Sequence, residues 1–254
     1  MKRWLRFIGL PLVAWASGGA SLPTLVPDVS QREVEIQYSF KGAELLLFGA
    51  IVYPDGVVPK KAPDIVVVLK GPEQATVMRE KQKIAGIWVN AETMRFQSTP
   101  SFYAIASSRS LDHLTDARTA AIYELGINNI QLSPASFDNL EQIPRFERGL
   151  IDLQTRRGLF VEKQGTVEIT GGVLYRARLP LSARAIVGNY TAETFLIQDG
   201  RVVAAAIRDI VVRKSGFERF MAFAAQQYSF FYGMAAIFVA VAMGWIAGTI
   251  GRRV

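Results

Sequence analysis

One histidine and no cysteine stand among the 254 residues of this chain, so its means of doing chemistry are few. His113 falls early in an amphipathic stretch, on the side away from Leu114 and Leu125. It reads as a solvent-facing helix residue, not as a ligand or general base. A single histidine without any thiol argues against the common zinc sites and excludes cysteine-based catalysis. No nucleophile elbow, phosphate-binding loop or dinucleotide fingerprint occurs. A carboxylate hydrolase needs two acids converging in one cleft. Glu141, Glu147 and Asp152 are the candidates, but Pro144 separates Glu141 from Glu147 and the two share no helix face. Asn189-Tyr190-Thr191 matches a glycosylation acceptor, a pattern too short to carry weight. No catalytic residue, metal site or cofactor is expected.

Two other patterns bear on partners. Arg145, Arg148, Arg156 and Arg157 make the most basic part of the body. They could face anionic headgroups or an acidic ligand, but Glu147 and Asp152 intersperse them, which suits a helix laced with ion pairs. Near the C-terminus Ala236, Ala240, Gly244 and Gly248 recur every four residues. On a helix they form one small-residue ridge, over which a second helix can approach closely in lipid. These four residues are the candidate helix–helix interface, toward a membrane-protein partner or a second copy.

The element that carries the ridge is distinct. Met221 to Ile250 contains no charge, and Arg252 and Arg253 follow at once. Its core, Tyr228 to Ile250, is about 34 Å long as a helix, enough to cross a hydrocarbon layer of about 30 Å. At the other end, Lys2, Arg3 and Arg6 precede the apolar stretch Phe7–Ala16 and the small residues Gly18 and Ala20, which reads as an export signal over residues 1–20. Both ends predict one topology: a bacterial inner-membrane protein with a single C-terminal span over 217–251, counting a juxtamembrane lead. The body then lies in the periplasm and residues 252–254 form a cytoplasmic tail. Of the formal charge of +7, five come from Lys2, Arg3, Arg6, Arg252 and Arg253, leaving +2 on the body. That is no nucleic-acid footprint.

The body reads as mainly β: an immunoglobulin-like β-sandwich with a short helical insert. Over residues 27–108 the expected strands are Gln31–Tyr38, Glu44–Tyr53, Asp64–Lys70, Ala75–Glu80, Ile84–Val89, Thr93–Gln97 and Phe102–Ala106. Glu44–Tyr53 is too apolar to be half-exposed and should be central in its sheet. Phe48, Trp88, Phe96, Phe102 and Tyr103 are expected in the core. Over residues 109–158 the period becomes helical. Ser110 caps a helix that carries Leu111, Leu114, Ala117, Ala121, Ile122 and Leu125 and stops at Gly126. A second helical stretch follows Pro134 with Phe137 and Leu140. A third follows Pro144, burying Phe146, Leu150 and Leu153 and stopping at Gly158. Over residues 159–215 period two returns, with strands Thr166–Thr170 and Val173–Leu179 about Gly171-Gly172. A β-hairpin, Tyr190–Gln198 and Arg201–Val212, turns at Asp199-Gly200. This segment either completes the sandwich or makes a small second domain.

Three blocks, Val29–Ile51, Gly188–Val202 and Tyr232–Gly248, carry a resemblance. On them the chain resembles an uncharacterised family of alphaproteobacterial transmembrane proteins of similar size, with a signal sequence, an exported β-rich body and one C-terminal span. That family has no established reaction, so the resemblance implies no active site. It does imply an accessory role beside a small-anion permease of the sulfite-exporter type. The function expected is therefore a non-enzymatic accessory or scaffolding protein of the inner membrane. The alternative is an envelope ligand-binding or sensing module, with a groove between sandwich and insert near Arg145, Arg148 and Arg156.

Overall fold

Ile65 to Leu69, in the strand Asp64–Lys70 (β4), have no exposure to solvent on either side. Each such aliphatic side chain gains about 1.5–3 kcal/mol on burial, and a strand without a wet face must be covered twice. The computed structural model, which describes residues 22–36, 42–135, 140–214 and 217–251, shows how. The proposed signal segment, Phe137 and the tail 252–254 lie outside the described residues.

β4 sits inside a six-stranded sheet. Its neighbours are β12 (Gly188–Gln198) and β7 (Tyr103–Ser107), both antiparallel to it. Beyond β12 come β13 (Arg201–Lys214) and β2 (Glu33–Ile36); beyond β7 comes β9 (Phe160–Lys163). A four-stranded sheet, β1 (Thr24–Val29), β3 (Ala43–Val52), β11 (Leu174–Leu181) and β10 (Glu168–Thr170), covers one face. Leu45, Leu47, Ile51, Ala177 and Leu179 from this sheet share one core with Ile65, Val67, Leu69, Tyr190, Leu196 and Ile210 from the other. Strands from before and after the insert pair with one another in both sheets, β11 with β3 and β12 with β4.

The insert covers the opposite face. Leu111, Leu114, Leu125 and Ile130 pack on Val66, Val68, Ile105, Phe195 and Ile197. The single helix expected from Ser110 is two: α1 (Leu111–Leu114) and α2 (Ala117–Ile122). Asp116 makes the break, because its carboxylate accepts the Thr119 amide at 2.7 Å and starts a new helix. Ser110 makes no side-chain capping bond. Gly126 does not close a helix; at φ +106° it opens a single 3-10 turn, Ile127–Asn129. Ser133–Pro134 forms a short strand, β8, and Leu140 is exposed in a turn; the stretch between them, expected to be helical, lies mostly outside the described residues. The third helix, α3 (Ile143–Arg156), has Pro144 in its first turn and stops before Gly158 at φ +68°. Phe146 and Leu150 are buried as expected, but Gln154 replaces Leu153 as the third buried residue.

The three strands expected between Ala75 and Gln97 are two long ones, β5 (Glu73–Ile84) and β6 (Ile87–Pro100). Ala85 (φ +51°) and Gly86 (φ +87°) turn them in the type I′ manner. Trp88, expected in the core, stands near this tip and is 65% exposed. Phe48 is also half-open, because β3 is central in its sheet yet none of the described residues covers the sheet's outer face there. Phe96, Phe102 and Tyr103 are buried. The turns at Gly171-Gly172 and Asp199-Gly200 take positive φ at both of these residues; Asp199-Gly200 is a two-residue hairpin loop, while Val173 makes the other a three-residue loop. The chain ends in α4 (Phe217–Gln227) and α5 (Ser229–Gly251).

Gly49 of β3 lies opposite Tyr175 of β11. A Cβ there would meet the Val26 carbonyl oxygen at 2.5 Å and the Tyr175 Oη at 2.6 Å. Only glycine leaves room for the ring. Gly49→Ala should therefore destabilise the body by about 1–3 kcal/mol, read as a lower thermal midpoint of the full-length protein in detergent. An unchanged midpoint would show that the ring moves aside freely.

Candidate functional site

Lys70 ends β4 beside the insert, and three elements converge on it. Its ammonium lies 2.6 Å from Glu124 Oε2, just past α2, and 3.2 Å from Glu193 Oε2 on β12. The other Glu124 oxygen accepts the Gln131 amide at 3.1 Å. Glu124 holds φ +52°, costly for a residue with a Cβ. Tyr103, buried beneath, helps keep it there: its hydroxyl donates to the Glu124 carbonyl at 2.7 Å and accepts the Gly126 amide at 3.0 Å. Ile122, Tyr123, Phe195, Ala206 and Ile207 complete a groove of about 340 Å³.

The electrostatics set the chemistry of this groove. Burial by itself lowers the lysine pKa, but the hydrogen bond to Glu124 and the charges of Glu193 and Glu124 outweigh it and hold Lys70 above its ordinary value. A catalytic lysine needs the opposite shift, toward a free amine near neutral pH. The triad is thus a charged clamp between insert and sheet, with two carboxylates facing one ammonium.

A second groove, about 640 Å³, runs along the insert past Asp112, Asp116, Asn128 and Glu162. Asp116 is spent on its helix cap, and its bonds to Thr119 hold its pKa down. Glu162 accepts the Ile127 amide and the Gln164 side chain. Among the described residues, no group of three or more His, Asp or Glu side chains could hold a metal ion. A third concavity, about 470 Å³ and mostly apolar, lies on the outer face of the four-stranded sheet around Val26, Phe48 and Leu174.

Residues singled out by type land elsewhere. His113 is exposed at the end of α1. The arginines of α3 are exposed, and Arg157 just past it is exposed too. Arg145 pairs with Glu80 and Glu92 on the β5–β6 hairpin, Arg156 with Asp152 at 2.9 Å, and Arg148 donates to the Pro144 carbonyl. None of them lines these three grooves. Glu141 is exposed, and burial pushes Glu147 up. Asn189 lies within β12, beside the buried Tyr190. The triad was not legible, since Lys70 reads as a solvated strand end and nothing marks Glu124 for positive φ.

On α5, Ser229–Gly248 is long and apolar enough to cross a membrane, and none of it is buried. The bonds Tyr228 N–H to Ala224 O and Tyr232 N–H to Tyr228 O carry the backbone from α4 into it. Ala236, Ala240, Gly244 and Gly248 are exposed, with open space above Gly244 and Gly248.

Lys70→Met leaves two carboxylates facing each other in a half-buried groove and should cost about 1–2 kcal/mol at neutral pH. Because the folded-state pKa of Lys70 is raised, its contribution is full below the unfolded value of about 10.4 and is lost as pH rises through the folded one. Thermal unfolding from neutral to strongly alkaline pH should show the wild-type advantage shrinking only at the alkaline end.

No curated protein and no solved structure matches the chain. A family model does, over residues 24–253, from the first residue of β1 through the whole of α5. On that match, which takes in both sheets, the insert and the apolar helix, the chain belongs to the family described as "Putative transmembrane protein (Alph_Pro_TM)".

Proposed function

We propose that this membrane-anchored protein is a non-enzymatic accessory or scaffolding subunit of a bacterial inner membrane. Its body stands on the periplasmic side and α5 docks against another membrane helix. The carrying observation is the exposed ridge Ala236, Ala240, Gly244 and Gly248 on a helix with no ionisable residue in its apolar span. In lipid, association rests on close backbone approach, which such a ridge permits. The orientation rests on Arg252 and Arg253 just beyond the span. The non-enzymatic reading rests on the thin catalytic inventory, one histidine and no cysteine. A small-anion permease of the sulfite-exporter type is the partner suggested by the sequence resemblance, and self-association is the other arrangement.

We also propose that the body is an immunoglobulin-like sandwich. Two observations support this. The order β1-β3-β11-β10 follows A-B-E-D, with β13-β12-β4 as G-F-C. Tyr190, buried near the start of β12, donates its hydroxyl to the Ile186 carbonyl at 2.8 Å, as a tyrosine corner does. A solved structure with another strand order would end this reading.

The groove at Lys70 favours a second reading, a ligand-binding module, because two carboxylates against one ammonium leave a surplus of negative charge beside an apolar wall. Its ligand would be a small organic cation. Calorimetric titration with alkylammonium compounds should then show saturable binding that is lost in Glu193→Gln, and no heat at millimolar concentration counts against it.

For the accessory reading, Gly244→Leu with Gly248→Leu should weaken chemical crosslinking or co-purification by at least about ten-fold, the loss of some 1.4 kcal/mol, while membrane insertion stays intact. Unchanged association would remove the ridge as the contact.

A further inference from the structure

The β5–β6 hairpin is a continuation of the core sheet past its own edge. The β4–β7 ladder runs on through Gly71 N–H to Phe102 O at 2.8 Å and Ser101 N–H to Pro72 O at 3.0 Å, then into the pair Glu73–Pro100. β4 and β13 are both antiparallel to β12, so they run in the same direction and leave the sheet at one end. From that end β4 enters the hairpin and β13 leads to α4 and α5.

The hairpin has a braced stalk and a bare tip. Phe146 and Leu150 of α3 pack on Met94 and Phe96, and Arg145 ties Glu80 to Glu92. Beyond that tie, residues 81–90 are all exposed. Ile84 is 56%, Ile87 70% and Trp88 65% exposed. The register puts Lys83 opposite Trp88 and Ile84 opposite Ile87, with a shift between Glu80 and Lys81. One face therefore carries Lys81, Lys83 and Trp88, the other Ile84, Ile87 and Val89. No acidic residue lies between Lys81 and Asn90. A free two-stranded ribbon is marginal in water, and this one leaves its largest apolar groups wet.

The geometry points to a second membrane contact: the hairpin tip seats in the anionic headgroup layer of the bilayer that α5 crosses. An aromatic and aliphatic tip with a lysine collar is the chemistry of interfacial insertion, apolar groups at the acyl boundary and ammonium groups among phosphates. The lengths are compatible. Lys70 and Asp209 both pair with Thr191; from that level the hairpin runs on about 47 Å to Ile84, while β13 runs on about 17 Å to Lys214 and α4 adds about 16 Å. A second copy fits less well, since a symmetric contact would set Lys81 and Lys83 against their own counterparts. This inference rests on α5 lying in the bilayer.

The chain has no cysteine, so Ile87→Cys gives a single labelling site for an environment-sensitive fluorophore, and Gln164→Cys, at the sheet's other end, gives the control. The full chain is reconstituted in phosphatidylcholine vesicles with and without phosphatidylglycerol. With the anionic lipid, the label at 87 should shift to the blue and be quenched by lipid-borne nitroxide, while that at 164 stays accessible to aqueous iodide. Lys81→Gln and Lys83→Gln should each reduce the engagement equilibrium by roughly five-fold. Free iodide access at 87 overturns the proposal, as does burial there that depends on protein density, which would assign the tip to a second copy. If α5 does not span, the protein fails to float with the vesicles, an outcome distinct from a floating protein whose tip reads as aqueous; either result overturns the contact.

Discussion

A strand with no face in water imposes a layer on each side, and β4 imposes two kinds. On one side, aliphatic residues at alternate positions meet a second sheet, whose strands come from both ends of the chain. On the other, the remaining alternate positions meet the insert, which cannot be a straight helix because it must follow a twisted sheet from its far end back to the hairpin. Asp116 divides it, Gly126 turns it, and the Tyr103 hydroxyl holds the bend between Glu124 and Gly126. The insert is thus a wall of the core as well as a source of polar groups.

The same pairing sets where polar features sit. Because β4 and β13 end together, the Lys70 clamp, the base of the long hairpin and the exit toward α5 all belong to one end of the six-stranded sheet. The opposite end is secured differently. Arg109 and Ser108 bond the Asp64 carboxylate, and although burial alone would raise it, they hold its pKa below the ordinary value. One end of the sheet carries a tie that serves stability; the other gathers the groove, the stalk and the anchor.

How much was legible follows from what is local. The hairpin at Asp199-Gly200 and the turn at Gly171-Gly172 show in the sequence because each needs positive φ twice, and these residues supply it. The turn at Ala85-Gly86 hides half of that signal in an alanine, which is why two long strands read as three short ones. Trp88 and Phe48 read as core because aromatic side chains usually are, yet residue type does not reveal whether a covering layer exists. β1 escaped notice because Pro27 interrupts its pattern, although an edge strand tolerates proline.

The amino-acid order alone determined the apolar span, the return of period two after a helical stretch, and the tight turns. Each depends on residues within a few positions of one another, through helical or strand period and backbone sterics. Tertiary structure alone decided that Lys70 meets Glu124, 54 residues away, and Glu193 on another strand. It also decided that no described residue covers the outer face of one sheet around Phe48 and that a hairpin runs beyond the body. Those outcomes depend on which distant strands pair and on what lies behind them, and no local pattern of side chains encodes that.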